Sequence, residues 1–491
     1  MRSLPGAAPR VYAEQTRGAC RARRSRSMDQ GLSDFLRDYV DALERGSAAL
    51  FVGAGLSMAT GLPGWGKLLE GMAREIGLDV GKEHDLVSLS QYYVNRYAGN
   101  RTHLESLVRR TFDRDVAIPD NHRILARLPI GHVWTTNYDE ILEGAWREAG
   151  KVFDVKSRSR DLTTSDPEAD ALLFKMHGTA SQPDAIVLTK DDYERYARTR
   201  PAFLQILESD LTTRTFLFLG LSFTDPNLGH VLSALRRSFE DGPRQHYTIL
   251  RRPSDPYDAQ RFAHLVTDLH RYGIRALVVD DFAGITEILR KLERRRAQRS
   301  VFVSGSFPED GDEKERAFVA SIARGVGRIV GSKNMQLVTG LGRVVGSAAV
   351  TGLVEALDGR TAAAISRRLV VRPVREVVPP GASLEAWKKK SREDLIVQSG
   401  VMIVIGGLRR GVPAPGVLEE FEIAKAQGLV VLPIAATGHA ARAIHEAMRA
   451  DPGAHLPAEI DAASFEALGA ETKDEGAILA AIERCLGRLA T

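Results

Sequence analysis

The chain has 491 residues, of which 44% are hydrophobic and 26% are charged, a composition typical of two or three ordinary globular domains. Its two cysteines, Cys20 and Cys485, are too few for a disulfide framework or a cysteine-rich zinc site, which fits a reducing cytosol. No apolar run approaches the roughly 20 residues that span a bilayer, so we expect a soluble, cytoplasmic protein without a membrane partner.

The first 28 residues form a basic tail that we expect to be disordered. Residues 1–27 contain seven Arg and one Glu, so the rest of the chain is slightly acidic although the total net charge is +4. The tail also resembles a transit peptide, being Arg-rich and poor in acids. Nucleic-acid binding requires clustered Lys and Arg on the folded part of a protein, so we expect no nucleic-acid partner.

From residue 29 onward, apolar segments of strand length alternate with segments of helical periodicity. A helix leads into the strand at 49–52, and residues 66–128 are predicted to be mostly helical. Further strands are predicted in IGHVWTTNYD, ALLFKMHGTA, TFLFLGLSFTDPN, QHYTILRRP and IRALVVDD. This alternation predicts a parallel sheet wrapped by helices.

A second domain is predicted to begin near residue 300, after a linker at 286–299 that has the pattern of an exposed helix end or of an irregular linker. Its strands are predicted in VFVSGSF, MQLVTGLG, GVMIVIGG and LVVLPIA. The sequence therefore predicts two Rossmann-like α/β domains, over 29–285 and 300–491, each with a parallel sheet flanked by helices.

Several candidate site residues follow predicted strands of the first domain. The strand at 49–52 runs into the glycine loop GAGLS, whose backbone N–H groups suit a diphosphate, although such loops also form tight turns without a ligand. Asn137 and Asp139 follow another strand, and His177 follows a third. The carboxyl ends of strands in a doubly wound sheet converge on one crevice, so we expect these side chains to meet there.

These motifs resemble the sirtuin family of NAD-consuming enzymes. The family order GAG-x-S, G-I-P, T-Q-N-x-D, H-G and G-x-S is matched here by GAGLS, GLP, TTNYD, HG and GLS. The resemblance implies that Asn137 orders the nicotinamide ribose and a water, that Asp139 receives the carboxamide, and that His177 activates a ribose hydroxyl. It implies that the NAD⁺ phosphates are bound by Gly53, Ala54, Gly55, Ser57, Gly220 and Ser222.

Three departures separate the chain from sirtuin deacylases. The zinc-binding cysteine pairs are missing, Trp65 and Gly66 replace Phe-Arg, and Thr136 replaces Gln. The sequence therefore fits the sirtuin-like NAD hydrolases of bacterial antiviral systems, with no metal and with helices in place of the zinc module. Simpler structural roles remain open, a buried core histidine for His177 and helix or turn caps for Asp225 and Asn227.

The second domain resembles the SLOG superfamily of Rossmann-like nucleotide-binding proteins. Gly406 and Gly407 match the phosphate-binding pair of its hydrolase members, but the loop LRRGVPAPG is longer and Val417 replaces Thr, so we expect no hydrolase activity here. By this resemblance the ligand candidates are Ser304, Gly305, Gly340, Gly342, Arg372, Lys388, Arg392 and Glu420. Glu419 is an alternative to Glu420, and AWKKKSRED is equally typical of a solvated helical face.

A sirtuin-like domain followed by a SLOG domain resembles the effectors of the Thoeris antiphage system. The resemblance implies that a cyclic ADP-ribose isomer, made by a partner enzyme with a TIR domain, binds the SLOG domain and activates hydrolysis of cellular NAD⁺. It also implies a homotetramer. Two alternatives remain open, a catalytically silent nucleotide sensor and a sirtuin-type protein deacylase.

Overall fold

Two units make up the chain in the computed structural model, with the boundary between Glu293 and Arg294. The structure describes residues 30–83, 85–238, 244–373, 378, 381, 383–455, 460–470 and 472–490. The tail predicted over residues 1–28 lies outside this part of the chain.

The first unit is built on a seven-stranded sheet in the order β3-β4-β2-β1-β5-β6-β7, and every neighbouring pair is parallel. The strands are β1 (Ala48–Val52), β2 (His132–Thr135), β3 (Phe153–Lys156), β4 (Ala171–Lys175), β5 (Thr215–Leu219), β6 (His246–Arg251) and β7 (Ile274–Val279). Val52 lies opposite Thr135 on one side and Leu219 on the other. The carboxyl ends of the central strands therefore lie side by side, and the side of the sheet at which these strands end is called its edge below.

Helices cover both faces of this sheet. They are α1 (30–44), α2 (Ala54–Ser57), α3 (Trp65–Glu75), α4 (Leu86–Arg96), α5 (Thr102–Phe112), α6 (Asp120–Arg127), α7 (Ile141–Glu148), α8 (Lys190–Thr199), α9 (Pro201–Thr213), α10 (Pro226–Ser238), α11 (Pro256–Leu269) and α12 (Phe282–Ala297). Leu50 and Val52 of β1 pack in the core on one face, and Ala49 and Phe51 pack in the core on the other. This burial on both faces explains the uninterrupted apolar run of β1.

The helices inserted between β1 and β2 confirm the predicted helical insertion. α3, α4 and α5 enclose a small core of their own, which includes Leu69, Leu89 and Leu104. Tyr138 and Leu188 join the same core from loops that follow β2 and β4. The insertion therefore packs against the edge of the sheet at which the strands end.

The second unit contains a five-stranded parallel sheet in the order β10-β9-β8-β11-β14. Its strands are β8 (Ser300–Ser306), β9 (Gln336–Thr339), β10 (Leu369–Val371), β11 (Val401–Gly406) and β14 (Val430–Ile434). The long loop after β11 carries a small hairpin of β12 (Leu408–Arg409) and β13 (Val412–Pro413). The two units confirm the predicted Rossmann-like fold class.

The helices of the second unit surround this sheet. They are α13 (Glu313–Ser332), α14 (Val345–Ala356), α15 (Ala362–Ser366), α16 (Leu384–Ile396), α17 (Pro415–Ala426), α18 (His439–Ala450), α19 (Pro452–His455), α20 (Ala462–Gly469) and α21 (Glu475–Ala490). A Cβ atom at Gly327 of α13 would overlap the carbonyl oxygen of Ala349 on α14. These two helices therefore pack backbone against backbone.

The segment predicted as a linker, residues 286–299, mostly lies in α12. Ile288, Leu289 and Leu292 of this helix are buried in the core of the first unit. Among the described residues, no helix is both long and apolar enough to cross a bilayer.

Candidate functional site

The loop after β1 packs directly against the loop after β5. The backbone N–H of Gly53 donates to the carbonyl oxygen of Leu219 at 2.8 Å, and that of Gly55 donates to Gly220 at 2.9 Å. Gly220 has φ +68°, and a Cβ atom at Gly55 would lie 2.9 Å from its oxygen. The contact between the loops therefore requires glycine and already uses two N–H groups. The diphosphate role of the GAG loop stays a prediction.

Ser57 brings together the polar side chains that follow β1 and β2. It lies on α2 with Ala54, and its side chain is 2% exposed. Its Oγ accepts a hydrogen bond from Nδ2 of Asn137 at 3.1 Å. Ser57 also lies near the Asp139 side chain, where its hydroxyl opposes the rise that burial causes in the pKa of this carboxyl. The structure thus brings Ser57 close to Asn137 and Asp139, which lie some eighty residues later in the sequence.

Asn137 is held by hydrogen bonds, and one of its polar atoms has no partner among the described residues. Its backbone N–H donates to Oγ1 of Thr135 at 3.0 Å, and this Oγ1 in turn donates to the carbonyl of Val52 at 2.9 Å. Asn137 is buried, and among the described residues its Oδ1 has no hydrogen-bond partner. An unsatisfied buried carbonyl is costly, so this atom points to a bound water or ligand.

Asp139 lies beside a buried ion pair. Burial raises the pKa of Asp139, and the nearby Lys175 ammonium opposes this effect. Nζ of Lys175, which is fully buried, donates to the Asp139 carbonyl at 2.6 Å and to Oε1 of Glu143 at 2.7 Å. The Asp139 carboxyl therefore holds a proton more readily than an exposed carboxyl, which allows it to donate a hydrogen bond.

His177 follows β4 by two residues and faces a carboxylate. Its side chain is 2% exposed, and Nε2 lies 3.2 Å from Oδ2 of Asp225. The Tyr193 ring packs edge-to-face against the imidazole at 5.4 Å. Trp65, the first residue of α3, packs edge-to-face on Tyr193 in turn, at 6.4 Å. The helical insertion therefore contributes, through Trp65, to the side chains packed around His177.

The loops that carry Asn137 and His177 are tied to each other. Thr135 and Lys175 are paired at the ends of β2 and β4, so each site residue follows its strand by two positions. The hydroxyl of Tyr138 donates to the carbonyl of Val187 at 2.7 Å, and the N–H of Val187 donates to the carbonyl of His177 at 3.0 Å. Asn137 and His177 therefore lie at the same edge of the sheet.

The loop after β5 supplies the remaining predicted residues of this site. Ser222 is exposed, and its Oγ lies 2.7 Å from Oγ1 of Thr224. Between them, Phe223 has φ +59°, an unusual backbone conformation for a large residue. Strained residues of this kind concentrate at functional loops.

For Asp225 the sequence left a helix or turn cap open, and the structure shows both a cap and a contact with His177. Its Oδ1 accepts hydrogen bonds from the N–H groups of Asn227 and Leu228, which caps the start of α10. Its Oδ2 faces His177. Tyr193 and the Lys175–Glu143 pair were missed entirely. For Lys175 and Glu143, the signal available in the sequence was a charged residue within an apolar segment.

In the second unit, Ser304 and Glu420 meet at the end of β8. Oγ of Ser304 donates to Oε2 of Glu420 at 2.5 Å. Burial raises the pKa of Glu420 to about 7, which Ser304 and Arg392 oppose. Nε of Arg392 lies 3.6 Å from Glu420, and Nη1 lies 2.5 Å from Glu419. Three predicted ligand residues thus form one polar cluster, and Glu419 belongs to it through Arg392.

The other candidate ligand residues of this unit lie around the same edge of the sheet. Gly305 belongs to β8, and a Cβ atom there would overlap the carbonyl oxygen of Ile405. Gly340 and Gly342 follow β9. Arg372 follows β10, and its backbone N–H donates to the carbonyl of Thr339 at 3.1 Å.

Lys388 lies on α16, one helical turn before Arg392. A cavity of about 410 Å³ adjoins the loops after β8 and β9 and is lined by Phe307, Pro308, Glu309, Asp310 and Arg343. Most of its boundary is open to solvent, and its lining contains none of the candidate ligand residues.

Comparison with family models divides the chain in the same way. A model of a SIR2-like domain matches residues 131–277, and a model of the Sir2- and TIR-associating SLOG family matches residues 284–489. The match confirms the predicted resemblance of the two halves to sirtuins and to SLOG proteins.

Curated relatives align with most of the chain. The NAD(+) hydrolase ThsA of Bacillus cereus (strain MSX-D12) is 40% identical over 424 residues, which cover 83% of this chain and 87% of that protein. The NAD(+) hydrolase ThsA of Enterococcus faecium is 36% identical over 84% of this chain and 89% of its own length. That of Acinetobacter baumannii (strain 532279) is 34% identical over 85% and 90%.

Proposed function

Since the chain belongs to the ThsA family of NAD(+) hydrolases, we propose that its first unit hydrolyses NAD⁺ to nicotinamide and ADP-ribose under the control of a nucleotide bound by its second unit. The observation that carries the first part is the cluster of Ser57, Asn137 and Asp139 at the same sheet edge as His177. Parallel α/β sheets bind nucleotides at this edge.

The reaction breaks the bond between the nicotinamide nitrogen and C1′ of the adjoining ribose. The bonding electron pair leaves with nicotinamide, and the positive charge that develops on the ribose is quenched when a water oxygen bonds to C1′. The water must lose one proton. In our proposal the unpartnered Oδ1 of Asn137 holds this water and His177 accepts the proton. A positioned general base contributes about 10²- to 10⁴-fold.

Asp139 suits recognition of the leaving group. Its pKa is raised by burial, so its carboxyl is better able to donate a hydrogen bond to the carboxamide oxygen of nicotinamide. Ser57, which accepts a hydrogen bond from Asn137 and lies near Asp139, couples this contact to the position of the water.

The phosphates of NAD⁺ are proposed to lie between the loops after β1 and β5. Ala54 is at the start of α2, where partial positive charge favours anions, and Ser222 offers an exposed hydroxyl. Gly53, Gly55 and Gly220 contribute indirectly, because their contact fixes the distance between the loops.

For the second unit we propose a cyclic ADP-ribose isomer as the activating ligand. The Ser304–Glu420 pair offers hydrogen bonds to ribose hydroxyls, and Arg372, Lys388 and Arg392 supply positive charge for the phosphates. The matched SLOG family is described as TIR-associating, which supports a TIR-domain enzyme as the source of the ligand. NAD⁺ depletion by a cytoplasmic homotetramer, as in Thoeris antiphage defence, is the proposed outcome.

The test is to incubate the full chain with NAD⁺, with and without cyclic ADP-ribose isomers, and to measure nicotinamide by chromatography. Release that depends on the cyclic nucleotide is the expected result. Binding of the cyclic nucleotide without any release would instead indicate a silent sensor. Nicotinamide release that requires an acylated peptide would indicate a deacylase.

A further inference from the structure

We infer that Asp225 is a positioning residue for His177, and that the two side chains act as a carboxylate–imidazole pair in the reaction of the first unit. This inference rests on the proposed NAD⁺ hydrolysis. Its starting point is the 3.2 Å distance between Oδ2 of Asp225 and Nε2 of His177, whose side chains are 13% and 2% exposed. Few water molecules can compete for such a contact.

The carboxylate is fixed independently of the histidine. Its Oδ1 accepts hydrogen bonds from the N–H groups of Asn227 and Leu228, each at 3.0 Å. Its Oδ2 lies 3.4 Å from the hydroxyl oxygen of Tyr193, which donates to it. With one oxygen held by the start of α10, the other is directed toward the imidazole. Asp225 is therefore placed to orient the imidazole.

The imidazole ring is packed in a matching orientation. The edge-to-face contact with Tyr193, at an interplanar angle of 79°, restricts rotation of the His177 ring. A proton on Nε2 faces the carboxylate and leaves Nδ1 free to accept a proton from substrate or water. At 3.2 Å the two atoms form a close ion-pair contact that does not meet the geometry of a full hydrogen bond, since Nε2 has no hydrogen-bond partner among the described residues. Such contacts are often loose without substrate and tighten when it binds.

The negative charge of Asp225 favours the proposed transfer of a proton to His177. Although burial alone would raise the pKa of Asp225, the neighbouring His177 and the backbone N–H groups of Asn227 and Leu228 hold it below its usual value. The carboxylate is therefore ionised at neutral pH. When His177 accepts a proton, the new positive charge forms beside this negative charge in a buried environment, where the attraction is strong.

The substitution Asp225→Asn tests this inference because it removes the charge and keeps an oxygen that can cap α10. We expect kcat for nicotinamide release to fall about 100-fold, while KM for NAD⁺ changes less than about threefold. Asp225→Glu, which restores the charge, is expected to recover part of the kcat. The matched control is Asp255→Asn, because Asp255 caps α11 through the N–H of Asp258 and has no contact with His177. This control is expected to retain the wild-type kcat.

A double-mutant cycle separates positioning from a general structural effect. If Asp225 acts through His177, Asp225→Asn has no further effect on the residual rate of the His177→Ala variant. A structural defect would lower the rate in both backgrounds.

Two results would overturn the inference alone: an Asp225→Asn variant with kcat within about threefold of wild type, or full additivity with His177→Ala. Wild-type protein that releases no nicotinamide under any condition would instead overturn the proposed function as well.

Discussion

The side-chain amide of Asn137 donates a hydrogen bond to Oγ of Ser57 at 3.1 Å, joining the loops that follow β2 and β1. This bond orients the amide so that its oxygen, which has no partner among the described residues, remains available. Ser57 also lies close enough to Asp139 to lower the pKa of that carboxyl against the effect of burial, so one buried hydroxyl neighbours both side chains of the candidate site.

The substitution Ser57→Ala is therefore expected to lower kcat for NAD⁺ hydrolysis about tenfold, roughly 1.4 kcal/mol, because Asn137 loses its acceptor. The unfolding midpoint should fall by only a few degrees, because one unpaired buried donor costs about 1–3 kcal/mol in a unit of this size. Ser159→Ala is a suitable control: its Oγ contacts only the carbonyl of Thr199 in an exposed segment. Steady-state kinetics measures both variants, and equal rates for Ser57→Ala and wild type would contradict the role of Ser57.

A pair of glycine substitutions tests the contact between the loops after β1 and β5. Gly220 and Gly46 have nearly equal φ angles, +68° and +67°, so alanine meets the same backbone penalty of about 1 kcal/mol at both positions. Only at Gly220 would the new Cβ atom overlap another residue, at the backbone nitrogen of Leu56. We expect Gly220→Ala to lower the unfolding midpoint further than Gly46→Ala and to abolish hydrolysis.

Thermal unfolding of both glycine variants, followed by circular dichroism, provides the comparison. Equal midpoints would show that the two loops separate without cost.

In the second unit, Glu420→Ala is expected to uncouple hydrolysis from the activating nucleotide. The substitution removes the acceptor of Ser304 and leaves Arg392 without one of its two carboxylates. The rate of nicotinamide release should no longer rise as the concentration of a cyclic ADP-ribose isomer is increased. Glu422→Ala, on the exposed side of α17, should behave as wild type. An unchanged half-maximal concentration for Glu420→Ala would refute this assignment.

Glu420 also predicts a pH dependence of folding stability. Its pKa is raised by burial from 4.5 to about 7, so the folded protein keeps a proton that the unfolded chain has already lost in this range. The free energy of unfolding contributed by Glu420 therefore falls as pH rises from about 4.5 to about 7 and is constant above that. Glu420→Gln, which does not titrate, should remove this slope, while Glu422→Gln should keep it.

Unfolding midpoints at pH 5 and pH 8 measure this effect. A difference between wild type and Glu420→Gln that is the same at both pH values would contradict it.

The sequence predicted the grouping of Ser57 and Asn137 because both residues closely follow buried strands of one parallel sheet. The ends of neighbouring parallel strands lie side by side, so a residue on a short loop after one strand must lie close to residues that follow the other strand. The position of Asp225 was harder to predict, since it lies six residues beyond β5 and the loop passes through Phe223 with positive φ. No periodicity or propensity specifies such a path.

Two short strands were the main omission in the fold. β3 carries Asp154 and Lys156 and is the outermost strand of its sheet, and β10 has only three residues, so neither has the apolar run that identified the other strands. The many charges of 286–299 favoured an exposed helix end or a linker over a helix packed in the core. Only Ile288, Leu289 and Leu292 of α12 are buried there, which is too few to distinguish a packed helix from a linker.

The most direct test of the account is nicotinamide release from NAD⁺ by the wild-type chain and by the Asn137→Ala and His177→Ala variants, each with a cyclic ADP-ribose isomer present. We predict rapid release by the wild type and at least about 100-fold slower release by both variants, each of which still folds. Release at the wild-type rate by either variant would contradict it, because hydrolysis would then take place without the two side chains that the sheet edge brings together.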